Sequence, residues 1–163
     1  MIELSTPQNF AQWRAIGVIL RGWARSVLDN RTEGIACIEQ GIRDLRATGT
    51  VLGLPYYLSL QAEALHLADR TSEALEAISE AEALAERFEQ RVSFAELHRL
   101  RGVFLAALGA DEMQIEALFC AAIKIAKEQK SISLQKRAEA TYAEYHRQKA
   151  SGSGGHGFRL PLW

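Results

Sequence analysis

Residues 54–88 read LPYYLSLQAEALHLADRTSEALEAISEAEALAERF, and this stretch decides the fold of the chain. Its second half places small and apolar residues at spacings of four, three, four and three: Ala74, Ile78, Ala81, Ala85 and Phe88. That spacing is the period of an α-helix with one buried face. With a polar turn at Asp69-Arg70, the stretch predicts a hairpin of two helices. Such a hairpin cannot bury its apolar stripe alone and needs a similar hairpin beside it.

The rest of the chain supplies further helices of the same kind. Gly49 is placed to end the second helix in a left-handed C-cap, and Gly109-Ala110-Asp111 forms a later turn. The last helix has a polar, solvent-exposed outer face, which is typical of a helix that caps a repeat array. Beyond the central hairpin, helices are predicted over residues 7–28, 32–48, 92–108, 112–129 and 131–149.

The hairpins are copies of one another at a period of about 40 residues. Gly22, Ala62 and Gly102 fall in register at steps of 40, and the second helices align at steps of 40 and then 41. Small residues at matching points allow close helix packing. The sequence therefore predicts an all-α fold, a right-handed α-α superhelix of three helical hairpins plus a C-terminal capping helix. Residues 1–149 form this single domain.

The small-residue pattern around Ala62 to Ala81 resembles the tetratricopeptide repeat (TPR), although a period of 40 exceeds the usual 34. A more particular resemblance is to the C-terminal TPR-like region of large bacterial predicted ATPases and class III adenylate cyclases. It is carried by GWA at Gly22, LGLPYYLSLQAEAL from Leu52, AELHRLRG from Ala95 and AIKIAKEQ from Ala122. The resemblance implies a bacterial, cytoplasmic scaffold or regulatory domain without the catalytic activity of those proteins.

Composition narrows the class of protein. Hydrophobic residues make up 48% and charged residues 24%, as in a soluble globular protein, and a net charge of −1 disfavours a nucleic-acid binder. No apolar run approaches the roughly 20 residues needed to span a bilayer, and no secretory signal is visible, so we expect no membrane association. Cys37 and Cys120 are expected to be reduced and packed in a cytoplasmic protein.

In stacked hairpins, the first helices line the concave face of the array. The predicted protein-binding groove consists of Trp23, Tyr56, Ser59, Glu63, His66, Glu96 and Arg99. Two alternatives remain open. Glu96 and Arg99, three residues apart, would also pair with each other on a solvated helix face. Trp23 and Tyr56 belong to residue types that more often form a hydrophobic core than a binding surface.

Catalytic, metal and cofactor sites are not predicted. The four histidines lie on different elements, without HxxxH, CxxC or HExxH spacing. The segment 152–157 matches G-x-G-x-x-G, but no strand precedes it, so it is interpreted as part of a flexible Gly/Ser-rich tail, residues 150–163. That tail ends in the apolar FRLPLW, which is either a disordered remnant or a docking peptide. Five basic residues on two helices suggest a solvated face: Lys124, Lys127, Lys130, Lys136 and Arg137.

The expected function is a non-catalytic interaction module that binds a protein or peptide on its concave face. The alternative is a regulatory domain that senses a small molecule in the same groove. A closed pocket around Trp23, Tyr56 and Arg99 would favour the sensor. Homodimerisation is also compatible with a short array that exposes apolar end surfaces.

Overall fold

Seven α-helices make up most of the computed structural model, which describes residues 7–28 and 30–151. A single 3₁₀ turn at Arg91–Ser93 precedes the fifth helix. No strand occurs within these ranges, so the all-α prediction is confirmed. The helices are α1 (Pro7–Val27), α2 (Arg31–Ala47), α3 (Leu54–Leu67), α4 (Thr71–Arg87), α5 (Phe94–Ala107), α6 (Glu112–Glu128) and α7 (Ile132–Ala150).

The helix ends fall within one or two residues of the predicted ones, because turn-forming residues mark them. Gly49 has a φ of 77° after α2, the left-handed conformation expected of a C-cap glycine. Gly109 has a φ of 69° between α5 and α6. Asp69, between α3 and α4, also adopts a positive φ of 61°, a conformation that aspartate tolerates better than most residues.

The chain divides into two compact units, Met1–Leu84 and Ala85–Trp163, with the boundary in the last turn of α4. In the first unit, α1 and α2 form an antiparallel hairpin, and α3 packs against both helices. Arg46 of α2 also forms an ion pair with Glu80 of α4, with a nitrogen–oxygen distance of 2.5 Å. In the second unit, α5 and α6 form a hairpin, and α7 packs against both helices.

Glycines bring α1 and α2 into close contact. A methyl group at Gly22 would lie 2.7 Å from the carbonyl oxygen of Gly34 and 2.9 Å from Cγ1 of Ile38. A methyl group at Gly41 would lie 2.6 Å from Cγ1 of Ile19. The two backbones therefore approach more closely than any residue with a Cβ would allow.

The same contact recurs in the second unit. A methyl group at Gly102 of α5 would lie 2.9 Å from Cε1 of Phe119 of α6. Gly102 is the repeat equivalent of Gly22, and Phe119 that of Ile38. The α1–α2 and α5–α6 hairpins thus each place a large apolar side chain of the second helix over a glycine of the first, whereas the hairpin between them has Ala62 at this position.

The two cysteines differ in their exposure. Cys37 is half-buried, but Cys120 is exposed, so the prediction that both cysteines are packed is wrong for Cys120. Its position on α6 points away from the core formed by Phe119 and Ala122, which are fully buried. The tail with its G-x-G-x-x-G match and FRLPLW lies outside the described residues, apart from its first two residues.

Candidate functional site

Trp23 and Glu63 meet in the first unit. The indole Nε1 of Trp23, on α1, donates a hydrogen bond of 2.8 Å to Oε2 of Glu63, on α3. Both side chains are half-buried. The two residues occupy the same position of successive hairpins, 40 residues apart. The structure therefore joins two of the predicted groove residues directly, along the first helices.

Tyr56 and Ser59 lie on the same helix but in different surroundings. The side chain of Tyr56 is 49% exposed, and its ring packs edge-on against Tyr57, with 5.5 Å between ring centroids. Burial raises the pKa of the Tyr57 phenol, and the neighbouring Tyr56 raises it further. Ser59 is buried, and its hydroxyl donates to the backbone oxygen of Tyr56 at 2.7 Å. Tyr56 can therefore contact a partner, whereas Ser59 holds the helix locally.

His66 lies in the last turn of α3, next to the connection to α4. Its Nδ1 is 3.0 Å from the hydroxyl of Thr71, the first residue of α4. This contact links the last turn of one helix to the first turn of the next. It places His66 at the end of α3 furthest from Tyr56.

The last two predicted groove residues, Glu96 and Arg99, form an ion pair in the second unit. Nε and Nη2 of Arg99 donate to the two carboxylate oxygens of Glu96 at 3.0 and 2.7 Å. The pairing alternative is confirmed, but its solvated setting is wrong. The Arg99 side chain is only 3% exposed and that of Glu96 15%. A bidentate pair of this kind fixes both side chains.

Two residues of α7 complete this cluster and were not predicted as part of it. Nη1 of Arg99 donates to the hydroxyl of Thr141 at 3.2 Å, and that hydroxyl donates to the backbone oxygen of Arg137 at 2.9 Å. Nη1 of Arg137 donates to Oε1 of Glu96 at 3.1 Å. Arg137, assigned from sequence to a solvated basic face, therefore reaches the buried carboxylate.

The single carboxylate of this cluster is bound by two guanidinium groups, those of Arg99 and Arg137. Burial alone would raise the pKa of Glu96, but the charges and hydrogen bonds of Arg99 and Arg137 outweigh it and lower that pKa. Glu96 is therefore ionised at neutral pH. Because its carboxylate is bound to two guanidinium groups, the cluster joins α5 to α7 and offers no general base for catalysis.

Across positions 7–28 and 30–151, no three His, Cys, Asp or Glu side chains converge in a way that could hold a metal ion. In the same part of the chain, no helix combines the length and apolarity that crossing a membrane requires.

Comparison with known proteins gives one relative. The chain is 32% identical over 127 residues to an uncharacterized protein of Rhizobium meliloti (strain 1021). The matched region covers 78% of this chain but 12% of the relative. No family model matches the chain, and no solved structure matches it. The chain is thus similar to a small part of a much longer bacterial protein.

Proposed function

We propose that this chain is a non-catalytic interaction module, a right-handed superhelix of TPR-like hairpins that binds a protein or peptide along its first helices. The observation that carries the proposal is the hydrogen bond of 2.8 Å between Trp23 and Glu63. It joins matching positions of consecutive hairpins, which supports a row of side chains running from α1 to α3. Helical-repeat proteins use such rows to bind extended partners.

Two further observations support the proposal. The glycine contact repeats from Gly22 over Ile38 to Gly102 over Phe119, as expected of copies of one supersecondary unit. The Rhizobium relative matches this chain over only 12% of its own length, which fits a module that also occurs within larger proteins. A bacterial, cytoplasmic scaffold role, as the sequence resemblance implies, is part of the same proposal.

The burial of Arg99 decides which variant can test this function. Reversing the charge of Arg99 would leave Glu96 without its main partner inside the fold, so loss of binding would not be informative. Tyr56 is the better choice because its side chain is half exposed. Its ring contacts Tyr57 at the surface of α3, and we expect its replacement by serine to leave the core intact.

The test is a selection of peptides from a displayed library on the immobilised wild-type protein. We expect the selected peptides to bind the Tyr56→Ser variant about tenfold more weakly, because truncating an aromatic anchor removes a large share of binding energy. Val92→Ser is the matched control, since Val92 is 77% exposed and lies in the second unit. Binding that survives Tyr56→Ser, or a library without selective binders, would contradict the proposal. A small metabolite that raises the melting temperature of wild type and not of Tyr56→Ser would favour the sensor instead.

A further inference from the structure

The outer face of α1 carries a continuous apolar stripe that no part of the described structure covers. Phe10 is 72% exposed, Trp13 69%, Leu20 43% and Leu28 79%. Gly17 and Ala24, between them, are also exposed, and nothing lies within 4 Å of the position a Gly17 Cβ would take. The α1 stripe therefore consists, at helical spacing, of Phe10, Trp13, Gly17, Leu20, Ala24 and Leu28.

The stripe lies on the side of α1 opposite to α2. Gly22 faces α2 at contact distance, and Leu20 and Ala24 stand two residues before and after it. At 3.6 residues per turn, two residues correspond to about 160° around the helix axis. Leu20 of the stripe lies three residues before Trp23, so the stripe borders the side of α1 from which Trp23 reaches Glu63 of α3.

Matching positions of the later hairpins are buried. At steps of 40, Leu20 corresponds to Leu60 and Leu100, which are 7% and 1% exposed. Ala24 corresponds to Ala64 and Phe104, both fully buried. In the first unit, α3 packs against both helices of the hairpin before it. The α1 stripe is the surface that a preceding helix would cover.

The capping helix α7 has a face that stays exposed to solvent. Its exposed positions include Lys136, Glu139 and Lys149, which are charged. In contrast, α1 is 21 residues long where α3 and α5 have 14 each, and its additional turns carry Phe10 and Trp13. Two exposed aromatic residues in an extension of this kind mark an interaction surface rather than a cap.

Charge and shape identify the occupant. Helix α1 contains Arg14, Arg21 and Arg25 and no carboxylate. A second copy docked through the same helix would place these arginines against one another. Glu33 pairs with Arg25 at 2.8 Å, which offsets one of the three charges. The small residues Gly17 and Ala24 leave recesses between large ones, into which the side chains of another helix fit. If the stripe instead inserted into a membrane, such recesses would contribute nothing to binding.

We infer that the α1 stripe docks an acidic amphipathic α-helix of another polypeptide, in the place that a preceding hairpin would occupy. Apolar side chains of that helix enter the recesses at Gly17 and Ala24, and its acidic residues face Arg14 and Arg21. The stripe shares no residue with the groove of the proposed function, although Leu20 borders Trp23, and the inference does not rest on that function.

The test uses a synthetic amphipathic peptide of roughly 18 residues, with leucines on one face and glutamates on its flanks, long enough to form a helix on binding. A second peptide replaces the glutamates with lysines. We expect wild type to bind the acidic peptide at least about tenfold more tightly than the basic one, because like charges oppose the latter. Gly17→Leu should weaken binding of the acidic peptide about tenfold by filling the recess.

Gly17→Leu also separates the competing occupants. A stripe that binds anionic vesicles would hold vesicles of phosphatidylserine and phosphatidylcholine more tightly after this change, because it adds apolar surface. The matched control Val92→Ser/Met113→Ser removes exposed apolar side chains of the second unit and should leave peptide binding unchanged. Failure of the acidic peptide to bind, vesicle binding enhanced by Gly17→Leu, or a wild-type dimer abolished by Phe10→Ser/Trp13→Ser would each overturn the inference.

Discussion

Replacing Gly22 with alanine is expected to lower the free energy of unfolding by about 2 kcal/mol, because the added methyl group overpacks the contact between α1 and α2. The new Cβ would lie 2.7 Å from the carbonyl oxygen of Gly34, which belongs to the backbone and cannot rotate away. The side chain of Ile38 and the Cβ of Cys37 crowd the same point at 2.9 Å. The two helices must therefore separate to accommodate one methyl group.

Gly17→Ala is the matched control, since it is the same chemical change in the same helix. Nothing lies within 4 Å of the Cβ position at Gly17, so alanine should stabilise the protein by about 0.5–1 kcal/mol through helix propensity. Chemical denaturation followed by tryptophan fluorescence measures both variants, because Trp13 and Trp23 lie in α1. Equal shifts for the two variants would show that close packing at Gly22 does not contribute.

The helices and their ends were predictable because they depend on local sequence. Apolar residues at spacings of three and four define each helix, and residues such as Gly49, Asp69 and Gly109 end them by adopting a positive φ. The repeat also identified Gly22 and Gly102 as points of close contact. The sequence could not supply the distance between the helices at these contacts, because that distance depends on which side chain of the second helix lies opposite.

The setting of Arg99 could not be read from its own helix. Glu96, three residues earlier, predicts an ion pair equally well in water and in a protein interior. Burial follows from α7, whose Thr141 and Arg137 lie about 40 residues further along the chain. Charged residues are almost never fully buried unless they are paired, so a solvated pair was the natural expectation.

The α1 stripe, in contrast, could have been predicted from the sequence. The signal lies in the 40-residue register and not in the periodicity within one helix. Phe10, Trp13 and Leu20 are apolar, and a single helix gives no reason to place them outside. The 40-residue register does give one, because Leu20 matches Leu60 and Leu100, which are buried. The first copy in a row has no earlier copy in the described structure to cover that position.

Replacing Glu96 with glutamine is expected to lower the free energy of unfolding by about 3 kcal/mol, because it leaves the charge of Arg99 buried without a counter-charge. Glutamine keeps the shape of the side chain and one acceptor oxygen, so the loss reports on charge rather than on packing. Besides that oxygen, Arg99 keeps the hydroxyl of Thr141 as a hydrogen-bond partner, at 3.2 Å. Chemical denaturation followed by circular dichroism measures the effect.

The pair formed by Arg70 and Glu73 provides a control with the same spacing and a different environment. These side chains are 42% and 50% exposed, and their nitrogen–oxygen distance is 2.5 Å. Water replaces a lost partner at such a site, so Glu73→Gln should change stability far less than Glu96→Gln. A double variant, Glu96→Leu/Arg99→Met, should recover much of the stability by removing both charges together. Similar losses for Glu73→Gln and Glu96→Gln would contradict the assignment of a buried pair.

The difference in stability between wild type and Glu96→Gln should also depend on pH. Arg99 and Arg137 hold the pKa of Glu96 below its unfolded value of about 4.3, against the opposing effect of burial. The ionised carboxylate therefore contributes its full stabilisation above that unfolded pKa and loses it as the pH falls through the lower, folded pKa. Below about pH 4 the wild-type curve should approach that of the variant, because a protonated Glu96 resembles glutamine. Other acidic groups are common to both proteins and cancel in the difference. A gap that stays constant from pH 7 to about pH 3 would mean that the charge of Glu96 does not hold α5 to α7.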